Sequence, residues 1–195
     1  ARWAYNWGLR KKIDAWDARK AALAAGTPKA EAPKVPSAID LHKELNLLKR
    51  VPVNQGGVPW MYESSKWAPQ IALQNLDKAF DNFFRRCKAS GKGPKGFPRF
   101  KSRKTGLGSF GAPLSYATPT HAILPRIGLV RLKEHNYLPT KQARNVRILG
   151  ASVKEQAGHW FVSLQVEQEL PDPQDRSHLP VLGVDVGIKV LATCS

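Results

Sequence analysis

Cysteine is nearly absent from this 195-residue chain: Cys87 and Cys194 stand alone and more than a hundred residues apart. Such a pair builds neither a disulfide framework nor a four-ligand zinc site from this stretch, and a reducing, cytoplasmic setting fits. The five histidines, His42, His121, His135, His159 and His178, show no metal-ligand spacing and read as surface or structural. Long apolar runs are missing too. Proline, glycine or a polar residue interrupts each one well short of the roughly 20 residues a membrane span needs, and no signal-peptide pattern opens the chain. No internal repeat is visible. The chain begins on ARWAYNWGL without an initiator methionine, as expected of a fragment of a longer protein.

Acidic residues are also scarce, with 15 Asp and Glu against 31 Lys and Arg, a net charge of +16. That excess points to a polyanionic partner, nucleic acid first. An inert basic surface and a membrane surface are the alternatives, the last disfavoured because no basic amphipathic helix stands alone. No small-molecule substrate is suggested. At 42% hydrophobic residues the chain can bury a core.

Two kinds of periodicity divide the chain. Over the first 25 residues Tyr5, Leu9, Ile13, Trp16 and Leu23 recur at helical spacing, and Gly26 ends the stripe. The TPKAEAPKVP segment reads as an extended linker because of Pro28, Pro33 and Pro36. Ser37 with Asp40 forms a capping-box variant opening a second helix through Leu41, Leu45 and Leu48. After the VPVNQGGVP loop, Ser64 or Ser65 caps a third helix to about Lys88, with Ala72, Leu76, Ala79, Phe80, Phe83 and Phe84 as its apolar stripe. Pro69 is tolerable there because it falls near the first turn. Asp77 and Asp81 lie four apart on this helix, the geometry of a carboxylate pair for metal or acid/base work. With Lys78 and Arg85 beside them, a solvated, salt-bridged face is the better reading.

Beyond Lys88 the period becomes two. SFGAPLSYATPTHAILPRIGLVRLKEH reads as short strands broken by turns; NVRILGASVKEQ and HWFVSLQVEQEL read as a hairpin turning near Ala157 and Gly158, with alternation at Trp160, Val162, Leu164 and Val166. The expected class is α+β: a helical region, a small antiparallel β-barrel, and a new strand after the PDPQDRSHLP linker.

Charge concentrates between these regions. Residues 85 to 104, RRCKASGKGPKGFPRFKSRK, carry nine cations and no acid: Arg85, Arg86, Lys88, Lys92, Lys95, Arg99, Lys101, Arg103 and Lys104. Glycines and prolines keep the segment out of regular structure. Phe97 and Phe100 alternate with Arg99 and Lys101, so the loop offers cations to phosphates and rings to bases. A solvated linker whose phenylalanines pack into a neighbouring domain is the alternative. Trp3 and Trp7, one turn apart beside Arg2, Arg10 and Lys11, invite a base-stacking reading, although aromatics at helical spacing are usually core.

The chain closes on VLGVDVGIKVLATCS. Alternation sets Asp185 on the face opposite Leu182, Val184 and Val186, and IKVLAT reads as the second arm of a hairpin. A lone Asp near a turn is ordinarily turn chemistry. Two-metal phosphodiester hydrolysis needs several carboxylates, so Asp185 is either structural or the first ligand of a site completed elsewhere.

ARWAYNWGL, LHKELNLLKR, PWMYESSKWAPQIALQNLDKAFDNFFRR, KGFPRFKSRK, HWFVSLQVE and GVDVGIKVLATCS, in this order, resemble the transposon-encoded TnpB (OrfB) family, which is related to the type V CRISPR effectors. The resemblance implies an RNA-guided DNA endonuclease of the prokaryotic cytosol, nucleoid-associated and linked to transposition. Residues 1–92 would form a helical recognition lobe, and 93–178 the basic loop with an oligonucleotide-binding-like wedge β-barrel. Residues 179–195 would be the first β-hairpin of an RNase H-like RuvC domain. The implied partners are a guide (omega-type) RNA and target double-stranded DNA. Asp185 matches the first RuvC aspartate and would be catalytic and a Mg²⁺ ligand. Lys66 and Gln70 fall where the family reads the transposon-adjacent DNA motif. The later Glu and Asp, and a Zn²⁺ ribbon with paired cysteines, do not occur in this stretch, which alone is expected to bind nucleic acid without cutting it. A nuclease-inactive RNA-guided DNA-binding regulator is the alternative within the family, and an unrelated basic RNA-binding β-barrel protein the alternative outside it.

Overall fold

The computed structural model describes residues 1–89, 93, 95–105, 108–136, 146–169, 184–185 and 193–194. Helix α1 spans Arg2–Ala24. Gly26 at φ +83° ends it, the Gly26 amide donating to the Leu23 carbonyl and the Thr27 amide to that of Ala22. Glycine takes this left-handed turn without the clash a Cβ would meet. The following proline segment does not hang free: the Arg19 guanidinium donates to the carbonyls of Lys29, Ala32 and Pro33. Helix α2, Ala38–Leu48, starts on the expected reciprocal box, with Ser37 and Asp40 each accepting from the other's backbone N–H.

Helix α3, Trp67–Lys88, begins later than the serines suggest. Lys66 is its N-cap and no side chain caps it; Ser65 instead accepts from the Trp67 amide at 3.4 Å. Pro69 then falls at the third helical position, where its missing N–H had no intrahelical partner to lose.

Contacts between the helices give their directions. Gly8 meets Leu73 and Leu76, Lys12 meets Asp77, and Trp16 meets Phe84, so α1 and α3 run parallel. Leu41 closes on Gly8 while Ala38 reaches Asp77, so α2 runs against both. A Cβ on Gly8 would lie 2.6 Å from Leu73 and 3.3 Å from Leu41, which is why the crossing needs glycine there. Leu9, Leu41, Leu45, Leu73 and Leu76 are fully buried in this core, each contributing roughly 1.5–3 kcal/mol. The stripe read along α1 holds for Tyr5 and Leu9 but not for Trp16 and Leu23, which reach solvent.

Two three-stranded antiparallel sheets follow. The first has the order β1-β5-β6, from Ser109–Pro113, Val146–Gln156 and His159–Gln168. The second is the meander β2-β3-β4, from Tyr116–Ala117, His121–Leu124 and Gly128–Arg131. The β5 to β6 turn lies at Ala157 and Gly158, both at positive φ, as a two-residue hairpin turn requires. The chain passes between sheets at Leu114 and Ser115, the buried Ser115 hydroxyl donating to the Ala112 carbonyl at 2.6 Å. The α+β class holds, but among the described residues the two sheets share no ladder and do not close into a barrel. Their core is thin: Ala112, Leu124 and Val153, with Phe110, Ala151 and Val162 against it. Strand β7, Val184–Asp185, pairs antiparallel with β8, Thr193–Cys194, as a hairpin there requires.

Candidate nucleic-acid interface

The cations of residues 85 to 104 separate into two groups. Four of them are engaged. Arg85 donates to the Asn82 side chain at 2.9 Å, and Arg86 to the Lys95 carbonyl at 3.4 Å. Lys95 answers with its ammonium on the carbonyls of Arg86 and Ala89, two of the acceptors that the end of α3 leaves open. The Lys101 ammonium lies 4.2 Å from the centre of the Tyr5 ring, and burial lowers its pKa. Arg85, Arg86 and Lys101 are nevertheless exposed, as are Lys88, Arg99, Arg103 and Lys104, and none of these seven cations makes an ion pair with a described residue; what separates the engaged ones is their hydrogen bonds and ring contact. Lys92 lies outside the described residues.

Residues 95 to 102 form a strap without regular structure, laid along the helices. Phe97 sits edge-on to Phe80 and Phe83, with centroids 5.6 and 5.2 Å away, so this ring anchors the strap to α3. The Arg10 guanidinium lies 5.2 Å above Phe100. At Lys101 the backbone N–H donates to Asn6 Oδ1 at 2.8 Å, and Asn6 Nδ2 donates back to the Lys101 carbonyl at 3.0 Å. The strap therefore runs from the level of Phe80 towards the start of α1, opposite in direction to α1. Sequence reading offered rings to bases or rings to a neighbouring element, and for Phe97 the second holds.

Beyond the strap lies a cleft of about 800 Å³ between the helices and the sheets. Arg2, Lys101, Arg126 and Lys154 line it against two acids, Glu63 and Glu155, with Trp3, Phe110 and Trp160 among its walls. Strand β1 packs against α3, and a Cβ on Gly111 would stand 2.5 Å from Ile71 there. Sequence reasoning missed Asn6, Arg126 and Lys154. Asn6 carries no local signal, since its partner is 95 residues away.

The remaining candidates are placed as follows. Lys66 and Gln70 stand one turn apart at the start of α3, Lys66 exposed over the Trp67 ring at 5.2 Å and Gln70 half-buried; neither lines the cleft. Trp3 and Trp7 stack on each other with centroids 6.0 Å apart, and Trp60 closes edge-on at 5.7 Å, so these rings serve one another first. Asp81 is exposed, but Asp77 is not part of a solvated face. Its Oδ1 pairs with Lys12 at 2.7 Å and its Oδ2 accepts from the Ala38 amide at 2.7 Å, so one carboxylate ties three helices together. The flanking Lys78 and Arg85 do not pair with it: Lys78 is its immediate neighbour on another face of the helix, and Arg85, two turns on, donates to Asn82. Asp185 is a strand residue opposite Thr193. Among the described residues no three His, Cys, Asp or Glu gather as metal donors, so a magnesium or zinc site has no donor set there.

Among the described residues no helix is long and apolar enough to cross a membrane. No protein-family model matches the chain. Among curated proteins the chain is similar to one from Escherichia coli (strain K12) named "Putative RNA-guided DNA endonuclease InsQ", with 30% identity over 139 residues. The match takes in 70% of this chain and 31% of that protein, so the chain spans about a third of the length of the relative it matches.

Proposed function

We propose that this chain is TnpB-like and is the nucleic-acid-binding portion of an RNA-guided DNA endonuclease whose cleavage activity belongs to a longer protein. The observation that carries the reading is the division of the basic segment. Four of its cations are held by internal hydrogen bonds or a ring contact, while Lys88, Arg99, Arg103 and Lys104 are exposed beside a strap held to two helices and are not so held. Fixed cations without counter-charges are what a phosphate backbone requires, and the guide RNA is the partner assigned to them. The cationic, aromatic-walled cleft next to the start of α3 is assigned to target double-stranded DNA at its adjacent motif, with Lys66 and Gln70 on the neighbouring helix face. Asp185 belongs, in this reading, to the RuvC nuclease site of the whole protein.

The test is the salt dependence of binding to a labelled structured RNA between about 50 and 200 mM salt. Each phosphate-binding cation removed should flatten the log–log slope by about 0.7–0.9. Changing Lys88, Arg99, Arg103 and Lys104 together to Gln should therefore remove up to about three units of slope. The matched variant carrying Arg85→Gln, Arg86→Gln, Lys95→Gln and Lys101→Gln should lose stability while keeping most of its slope. Equal flattening by both sets overturns the division. In the whole protein, Asp185→Ala should abolish DNA cleavage and leave RNA binding intact; persistent cleavage removes Asp185 from the nuclease site.

A further inference from the structure

The strap presents its cations without the support of a sheet. Among the described residues no β-ladder partner satisfies its backbone over residues 95 to 102. At Lys101, however, one side chain performs the work of a ladder rung: the Asn6 carboxamide accepts from the Lys101 N–H at 2.8 Å and donates to the Lys101 carbonyl at 3.0 Å. Of the uncharged side chains, only a carboxamide offers a donor and an acceptor in one plane at this separation. Its neighbours on α1 take the strap's side chains, Arg10 covering Phe100 at 5.2 Å and Tyr5 receiving the Lys101 ammonium at 4.2 Å. The clasp sits between cations that have no ion-pair partner among the described residues, two positions after Arg99 and two before Arg103.

We propose that Asn6 is a positioning residue for nucleic-acid binding: by locking the strap backbone at Lys101 it holds Arg99, Arg103 and Lys104 in one fixed frame for the phosphates. This rests on the reading that those cations bind nucleic acid. Without the clasp the cations remain, but the backbone carrying them must be ordered anew at each binding event.

Asn6→Ala and Asn6→Asp test this on the full chain with a labelled structured RNA. Asp keeps the acceptor for the Lys101 N–H but sets a carboxylate against the Lys101 carbonyl, so both variants open the clasp. The expected result is about tenfold weaker RNA binding at fixed salt, the effect of freeing roughly one backbone residue. Tryptic cleavage after Arg99, Lys101 and Arg103 should become faster in both, while the salt slope of Asn6→Ala stays unchanged because that variant alters no charge. Asn6→Gln, which retains donor and acceptor, should recover part of the affinity. If affinity is unchanged in the Ala and Asp variants while neutralising Arg99, Arg103 and Lys104 still flattens the slope, the positioning role is overturned and phosphate binding stands. If that neutralisation leaves the slope intact, phosphate binding by the strap fails and the role of Asn6 falls with it. A variant that lowers affinity only in proportion to a lower unfolding midpoint also overturns the proposal.

Discussion

Removing the Lys12 ammonium should unsettle all three helices, because the carboxylate it neutralises is shared among them. The Lys12 side chain is 8% accessible and that of Asp77 31%, with the charges 2.7 Å apart. Exposed ion pairs contribute about 0–1 kcal/mol, and breaking a wholly buried pair costs about 3–5 kcal/mol. This pair lies between. Lys12→Met strands the buried Oδ1 of a carboxylate whose side chain is otherwise partly accessible and whose Oδ2 keeps the Ala38 N–H, so about 2 kcal/mol is expected. Asp77→Asn strands the more deeply buried partner, leaving the ammonium an amide and the Phe80 ring 5.3 Å away, and about 3 kcal/mol is expected. Once either charge is gone the other is better removed, so the double variant should cost about 3 rather than about 5 kcal/mol. Urea unfolding followed by far-ultraviolet circular dichroism reads these differences, and the midpoint of thermal unfolding should fall by roughly 5–10 °C for each single variant. A double variant equal to the sum of the singles, or singles below about 0.5 kcal/mol, would refute the claim that the pair acts as a buried strut.

Gly8→Ala gains about 1 kcal/mol of helix propensity, but places a methyl against three fully buried leucines, so a net loss near 1 kcal/mol is expected in the same unfolding assay. A more stable Gly8→Ala chain would show that those leucines retreat freely. Phe97→Ala should cost about 1 kcal/mol through its two edge-on ring pairs and make the strap more accessible to protease, whereas unchanged proteolysis would leave Asn6 and Arg10 as sufficient anchors. Stability should also fall in two steps on acidification. His42 is held below its ordinary 6.5 by burial and then by Lys49, so the folded state binds its proton less readily than the unfolded chain. Its contribution is complete above pH 6.5 and is lost as the pH falls through the lowered value; His42→Gln should flatten that limb. Asp40 is held below 3.8 by hydrogen bonds from the Ser37 backbone and hydroxyl, so its contribution is present above that pH and is lost as the pH falls through the lowered value. Asp40→Ala should remove this second limb, and an unchanged one would exclude the capping box as its source.

Features written in short range were legible from the residues alone. The Ser37 and Asp40 box, the Gly26 stop and the Ala157–Gly158 turn each depend on partners within a few positions, and each is where it was expected. What escaped depends on which distant segment arrives. Asp77 looked solvated because Lys78 and Arg85 flank it and Asp81 in the sequence, while its partner Lys12 comes from a parallel helix 65 residues earlier. The period-two segments announced strands correctly, but a barrel requires knowing which edges meet, and alternation carries no information about edges. The basic segment was visible as charge. Its division into engaged and solvent-facing cations was not, because Lys95 and Lys101 differ from Arg99 and Arg103 only in what folds against them.

The meeting of Gly111 and Ile71 has a mechanical consequence. The first sheet packs on helix α3 with Gly111 facing Ile71, a β-branched side chain of little rotamer freedom whose Cδ1 and Cγ2 would stand 2.5 and 3.1 Å from an added Cβ, so a larger residue at position 111 acts as a shim between the two layers. A graded series at that one position, Ala and then Val, would widen the cleft in small steps without altering a single charge. Groove width thereby becomes a quantity adjustable independently of electrostatics, from a residue outside the groove's own lining.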